Sequence, residues 1–254
     1  MKKQRKERCL ILPDLHQDIA WAELVLEKEA GQADQIVFLG DYFDSRRPDF
    51  EIASARETAA FIKEVKSRFG AGVTLLVGNH DLPYLEGAPH FAKGLPDFSP
   101  QYPCSGFDPR KGVEIFAEWD IPWLANLNLI TMVQGFLLSH AGVAPEFWPK
   151  EAAPEKSLVE FENRCQSAWE NFRHHHEPLF SAGLSRGGFQ ETGGLLWLDW
   201  DDEFTDSLPY PQIVGHTVNA FAIEVRKKGR SYCLDNAQST YGILTKGHLT
   251  THEP

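Results

Sequence analysis

The sequence is short of sulfur, of excess positive charge and of long apolar runs. Its four cysteines, at 9, 104, 165 and 233, include no C-x-x-C pair. That spacing offers neither a disulfide framework nor a thiolate metal site, and reads as free thiols in a reducing compartment. Acidic residues outnumber basic ones by 36 to 25, for a net charge of −11. Duplex nucleic acid and an anionic membrane surface both repel such a chain, so neither is expected as a main partner. After the basic start MKKQRKER, the apolar stretch is only residues 9–12 before Pro13. It is too short for a signal peptide or a membrane span, so the expected location is cytoplasmic. Repeats and low-complexity tracts are missing as well. What is there is a core: 42% of the 254 residues are hydrophobic, which argues against disorder and suits a single α/β domain over 1–254.

Apolar, strand-like runs recur at CLIL (9–12), QIVFL (35–39), VTLLV (73–77), FLLS (136–139) and QIV (212–214). FAIEV (221–225), SYCL (231–234) and YGILT (241–245) follow. Helical stripes lie between the first three, over 17–30 and 50–69, with Gly31 and Gly70 in C-cap positions. Alternating strands and helices predict an α/β sheet for the first eighty residues. The last four runs have no helix between them and read as an antiparallel meander, a second sheet or a sheet edge. The stretch 83–112, rich in Pro and Gly, reads as a long loop. The stretch 145–194 is irregular at both ends around a helix expected near 155–175, and reads as an insertion or lid.

Five of the runs end in side chains that bind protons or metals. CLIL leads to Asp14 and His16, QIVFL to Asp41 and Asp44, and VTLLV to Asn79, His80 and Asp81. FLLS leads to His140, and QIV to His216. In open α/β sheets the carboxyl ends of strands line the ligand crevice, so residues scattered in sequence can meet there. Oxygen and imidazole donors without thiolates suit a pair of Mn, Fe or Zn ions. Glycine precedes Asp41, Asn79 and His216, where the backbone must turn sharply near the ions.

The blocks "DLH", "GDYFD", "GNHD", "SHAG" and "GHT", in that order over 14–217, closely resemble the calcineurin-like metallophosphoesterases. The resemblance implies a four-layer α/β/β/α sandwich with loop and helical insertions. It implies that Asp14 and His16 bind a first metal, Asp41 bridges, and Asn79, His140 and His216 bind a second. It also implies a hydroxide held by the two ions as nucleophile, His80 as general acid and Asp44 as the carboxylate that orients it. Two divalent ions against two carboxylates and a hydroxide leave the site about +1, so an acidic chain can still receive an anion.

"GDYFD" and "GGLLWLDW" are similar to blocks of the serine/threonine phosphatase branch. That similarity points to a phosphomonoester substrate, such as phosphoserine or phosphothreonine on protein. The chain departs from the branch at Pro13, Gln17, Ser45 and Asp81, and has Val218 where many members carry a second His. The phosphate-gripping arginine is therefore open: Arg46 and Arg47 are nearest, with Arg110 and Arg186 in the irregular stretches.

Other readings compete at single residues. Asp44 could cap a helix, and Asp81 reads as an N-cap or structural partner. Trp197 and Trp200 read as packing. The run His174, His175, His176 reads as a solvated helix end, with a lid contact as the second reading. Residues 183–187 fit G-x-S-x-G, but no strand precedes them and no helix follows. At the level of function, a dinucleoside polyphosphate or cyclic phosphodiester hydrolase is one alternative. A catalytically silent phosphate-binding protein is another.

Overall fold

A computed structural model describes residues 7–45, 52–150, 153–219 and 225–254. Its first sheet holds β1 (Arg8–Leu12), β2 (Gln35–Phe38), β3 (Val73–Leu76) and β4 (Leu127–Asn128), all parallel. The second sheet is ordered β5 (Ile130–Val133), β6 (Phe136–Ser139), β7 (Gln212–Val214), β9 (Ser231–Cys233), β8 (Arg226–Lys228). The hairpin β10 (Tyr241–Thr245) and β11 (His248–His252) completes the first sheet, with β10 antiparallel to β1.

Strand alternation divides the apolar residues into two sets. Cys9 and Ile11 of β1, Val37 of β2 and Leu76 of β3 share a cluster with Leu138 of β6 and Ile213 of β7. The two sheets therefore pack face to face. Leu10, Leu12, Ile36, Phe38 and Leu75 point the other way and join a larger cluster with Trp21, Val25, Ile62 and Val65. Those last four belong to helices α1 (Ile19–Glu29) and α2 (Ala55–Phe69). Burial on both faces explains why β1 to β3 read as continuous apolar runs rather than alternating ones. The result is two sheets sandwiched with helices outside, as expected.

Local chemistry sets the helix ends. Asp18 caps α1 by accepting from the Trp21 amide, and Ser54 with Glu57 forms a capping box on α2. Gly70 closes α2 at φ 55°, as expected. Gly31 instead lies inside a 3₁₀ turn, Ala30–Gln32, and Ala30 is the C-cap of α1. The helix expected from 50 begins at Ala55; residues 50 and 51 lie outside the described ones.

Two further expectations are corrected. The stretch 83–112 is loop only in part: α3 (Leu82–Glu86) and α4 (Ala88–Phe91) open it and α5 (Pro109–Glu118) begins at its end, around irregular chain over 92–108. Three of its six prolines, Pro83, Pro89 and Pro109, occupy first-turn positions, where the missing N–H costs nothing and the fixed φ favours a helix. The last runs are not one antiparallel meander. β7 is parallel to both β6 and β9, and YGILT crosses to the first sheet. The run 221–225 lies outside the described residues except for Val225. In 145–194, α6 (Pro154–Asn171) is shorter than expected, and 3₁₀ turns at Pro178–Phe180 and Leu184–Arg186 follow it. Among the described residues no helix is long and apolar enough to cross a membrane.

Candidate metal centre

The ends of β1, β2 and β3 are clamped together through their backbones. The amides of Leu15 and His16 donate to the Asp41 carbonyl at 3.1 and 2.7 Å. Asp81 makes the second tie. Its carboxylate accepts from the amides of Gly78 (2.8 Å), Asp41 (2.9 Å) and Tyr42 (2.8 Å). Asp81 is thus the structural partner expected, while its side chain makes no cap bond to α3. Burial first, then the charge of Asp41, push the Asp81 carboxyl well above the usual range, against the three amides that favour its ionised form.

Close approach explains the glycines. A Cβ on Gly40 (φ 103°) would overlap the backbone of Gly78. A Cβ on Gly78 would strike the Asp41 carboxylate, and one on Gly215 the Asp14 carboxylate. Positive φ angles also gather here in residues with side chains: His16 (45°), Gln17 (65°), Asp41 (52°), Asp44 (61°) and His216 (67°). Such conformations cost roughly 1–3 kcal/mol each and persist where the surroundings over-determine them.

Apart from Asp81, the residues expected at the strand ends come together. Asp14, His16, Asp41, Asp44, Asn79, His80, His140 and His216 are buried. His16 offers Nδ1 to the carbonyls of Phe43 and Asp44 (3.1 and 3.0 Å), which turns Nε2 toward Asp41 (3.6 Å) and Asp14 (3.9 Å). His140 likewise offers Nδ1 to the Leu39 carbonyl (2.9 Å), directing Nε2 to Asn79 Oδ1 (2.9 Å), His216 Nδ1 (3.2 Å) and Asp41 Oδ1 (3.5 Å). Asn79 Oδ1 also lies 2.8 Å from His216 Nδ1. The carbonyl contacts fix each imidazole's tautomer, as outer partners of metal-binding histidines do.

Two triads have donor atoms within 4.8 Å of one another: His16, Asp41 and His80, and Asp41, His140 and His216. Asp41 belongs to both. Buried nitrogen and oxygen donors pointed at each other, with one carboxylate shared, fit a pair of cations. Without cations these lone pairs and charges would repel.

His80 stands beside the cradle. Its ring meets that of His16 edge-on at 5.0 Å, its amide donates to Asp41 Oδ1 (2.9 Å), and Nδ1 is 3.4 Å from Asp44 Oδ2. Burial opposes its protonation. The charge of Asp41, the bond to Asp44 and Cys104 outweigh burial and push the imidazole up to about 11. Asp44 is itself gripped at Oδ1 by the Tyr84 hydroxyl (2.7 Å) and Lys111 Nζ (2.6 Å). Nothing near Asp44 in sequence marks Tyr84 or Lys111, since both come from the stretch read as a loop. Cys104 was equally silent in sequence, and accepts from Asn79 Nδ2 at 3.2 Å.

The candidate arginines separate. Arg46 and Arg47 lie outside the described residues. Arg110 pairs with Asp108 on the surface. Arg186 reaches it: Nε pairs with Asp199 (2.7 Å), and an NH₂ donates to Thr217 Oγ1 (2.7 Å), next to His216. Trp200 is buried and stacks on Phe204, as expected of packing. Trp197 packs edge-on to His216 at 5.7 Å. Of the histidine run, His176 stacks on Tyr102. Residues 184–186 form a 3₁₀ turn, so G-x-S-x-G makes no nucleophile elbow.

Comparison with protein families matches residues 8–220 to calcineurin-like phosphoesterases. The chain belongs to that family. It is a phosphoric ester hydrolase that acts with metals, and the buried His and Asp residues could bind them. A search of curated proteins by sequence gives no significant match. Among solved structures the chain is similar to a cold-active protein-tyrosine phosphatase of the psychrophile Shewanella sp., at 16% identity over 97% of this chain and 80% of that one (TM-score 0.59). It is also similar to a protein serine/threonine phosphatase from Saccharomyces cerevisiae with similarity to human phosphatase PP5. There the identity is 13% over 100% and 82% of the two chains (TM-score 0.53). A putative diadenosine tetraphosphatase aligns at 15% identity over 100% and 96% (TM-score 0.49). At such identities the likenesses to the two phosphatases speak to the fold alone.

Proposed function

We propose that the chain hydrolyses a phosphomonoester, with Asp14, His16, Asp41, Asn79, His140 and His216 as the metal-holding set. The carrying observation is that Asp41 is shared by two groups of close donor atoms, one with His16 and His80 and one with His140 and His216, with Asp14 beside His16 and Asn79 beside His140 and His216. Two ions of the Mn, Fe or Zn class, when bound, supply an activated water and positive charge for the phosphoryl oxygens. The chain's residues do the rest. His80 delivers a proton to the departing ester oxygen, and Asp44 holds the ring that carries it. Tyr84 and Lys111 hold Asp44 in turn. A planar guanidinium is well shaped for phosphate, and Arg186 is the described arginine within reach, alongside the sequence candidates Arg46 and Arg47. The segment 145–194, which supplies Arg186, is proposed as the insertion that shapes access within a single domain over 1–254.

The preference for a monoester, including phosphoprotein, rests on the "GDYFD" and "GGLLWLDW" blocks. The test compares turnover of an aryl phosphomonoester with its matching diester in manganese-loaded protein, with His80→Ala alongside. Monoester turnover is expected, and it should fall in the variant more steeply the more basic the leaving group. Diester preference would move the substrate to nucleotides. No turnover of either, in protein shown to contain the metal, would favour a silent phosphate-binding protein.

A further inference from the structure

A cleft of about 330 Å³ lies against the metal centre, at the small end of the roughly 300–1,000 Å³ usual for ligand pockets. Three of its lining segments lie at or next to the cradle. Trp197 packs on His216, and Arg186 bonds Thr217. Tyr102 and Pro103 lead into Cys104, the partner of Asn79. Its wall carries the rings of Tyr102, Phe180 and Trp197, set among small and polar residues, and Phe189, whose side chain is fully exposed, lines it as well. Phe189 packs against nothing in the core, so its ring is available to meet a group held in the cleft.

The wall is also built to keep its shape. The Tyr102 hydroxyl accepts from the Glu177 amide (2.7 Å) and donates to the His175 carbonyl (3.2 Å), which staples the 101–104 segment to 175–177. The Tyr102 ring stacks on His176 and meets Phe180 edge-on. A firm aromatic slot beside a phosphoryl-transfer site favours a flat ring, through area burial and ring–ring contact. An aliphatic ester would leave Phe189 and the slot in water.

We propose that this cleft seats the leaving group and selects phosphoesters whose leaving group carries a planar aromatic ring. The inference rests on the hydrolase reading above and narrows its substrate. The ring can be phenolic, as in a tyrosyl ester, or heterocyclic, as in a nucleoside.

The first measurement is kcat/KM for 2-phenylethyl phosphate against ethyl phosphate in manganese-loaded protein. These esters release alcohols of similar basicity, so the ratio reports the ring and not the leaving group. We expect a preference of about tenfold or more for the phenyl ester, the scale of burying one ring. Phe189→Ala should cut that ratio at least threefold, and Phe189 has no core contact whose loss could unfold the protein. Calorimetry of 2-phenylethylphosphonate against ethylphosphonate gives the same comparison without turnover. Equal turnover of both esters, or a ratio that survives Phe189→Ala, overturns the cleft assignment and leaves the hydrolase reading standing. Selective binding of the aromatic phosphonate without turnover of any ester keeps the cleft and overturns hydrolysis. Phosphotyrosine and a nucleoside 5′-monophosphate, each measured against phosphoserine, separate the two sources of the ring. Preference for phosphoserine over both overturns the proposal.

Discussion

The strand-end cradle and the aromatic cleft lie side by side, and they are built by opposite means. The cradle is buried, hydrogen-bonded through its backbone and strained at five non-glycine residues. Its glycines leave no room for a single added carbon. The cleft wall is made of 3₁₀ turns and irregular chain, with Phe189 wholly in solvent. Charge placement explains the contrast. Holding two cations needs donors fixed to fractions of an ångström, which the strand ends of a packed sheet deliver and a loop does not. Seating an organic group needs shape and apolar surface, which a loop can vary freely.

If that contrast holds, changes in the cradle abolish activity toward every ester, while changes around it grade the activity. The largest effect is expected at Asp41. Asp41→Asn should lower kcat by more than about 10³-fold, beyond the roughly 10–100-fold carried by outer partners of a metal site. Metal analysis of the purified variant should show fewer than two ions per chain, and retention of both with normal turnover would break the comparison.

Gly78→Ala comes next, because its Cβ would strike the Asp41 carboxylate and the strand ends cannot separate without losing the Asp81 ties. Titration calorimetry with manganese should show weakened binding, and stability should fall by about 1–3 kcal/mol in urea melts.

His80→Ala should cost roughly 10²–10⁴-fold in kcat, the usual range for a general acid, with manganese binding retained. The loss should be greater for alkyl esters than for nitrophenyl phosphate, whose leaving group needs no proton. An equal loss for both would assign His80 to metal binding, in keeping with its place in the first triad.

Lys111→Met releases one of two grips on Asp44. About a tenfold loss in kcat, with KM little changed and the same leaving-group bias as His80→Ala, is expected in steady-state assays. A uniform loss across leaving groups would separate Lys111 from proton delivery.

The smallest effect lies far from both regions. Glu29 accepts from the Tyr241 hydroxyl (2.7 Å) and pairs with Arg8. Burial acts to raise its pKa, but these two hydrogen bonds and the Arg8 charge outweigh it and hold the carboxyl below its ordinary 4.5. A depressed carboxyl stabilises the fold above pH 4.5, and that contribution fades as pH falls through the lower, folded value. Glu29→Gln should lower Tm by roughly 2–5 °C near pH 7. The difference should shrink below about pH 4 in thermal melts, while turnover at neutral pH stays normal.

Particular residues show how far the sequence could be read. Asp14, His16, Asp41, Asn79, His80, His140 and His216 stand within five residues of an apolar run, so strand periodicity and residue type located them together. The alternation of strands with α1 and α2 was legible for the same local reason. Tyr84 and Lys111 were not legible. Their stretch has the proline and glycine content of a loop, and only folding puts Pro83, Pro89 and Pro109 in the first turns of helices. That β10 joins the first sheet beside β1 and not the second sheet was not legible, because a strand's pattern shows how its faces are buried, not which neighbour it pairs with.

Sequence alone therefore determined the donor chemistry, the order of the strand ends and the need for glycine beside them, all properties of short segments. Tertiary structure decided the rest: that Asp41 is shared by two triads, that Lys111 and Tyr84 hold Asp44, and that Trp197, Arg186 and Tyr102 set an aromatic cleft against His216 and Asn79. Those facts are distances between residues remote in sequence, and such distances are fixed by packing the whole core.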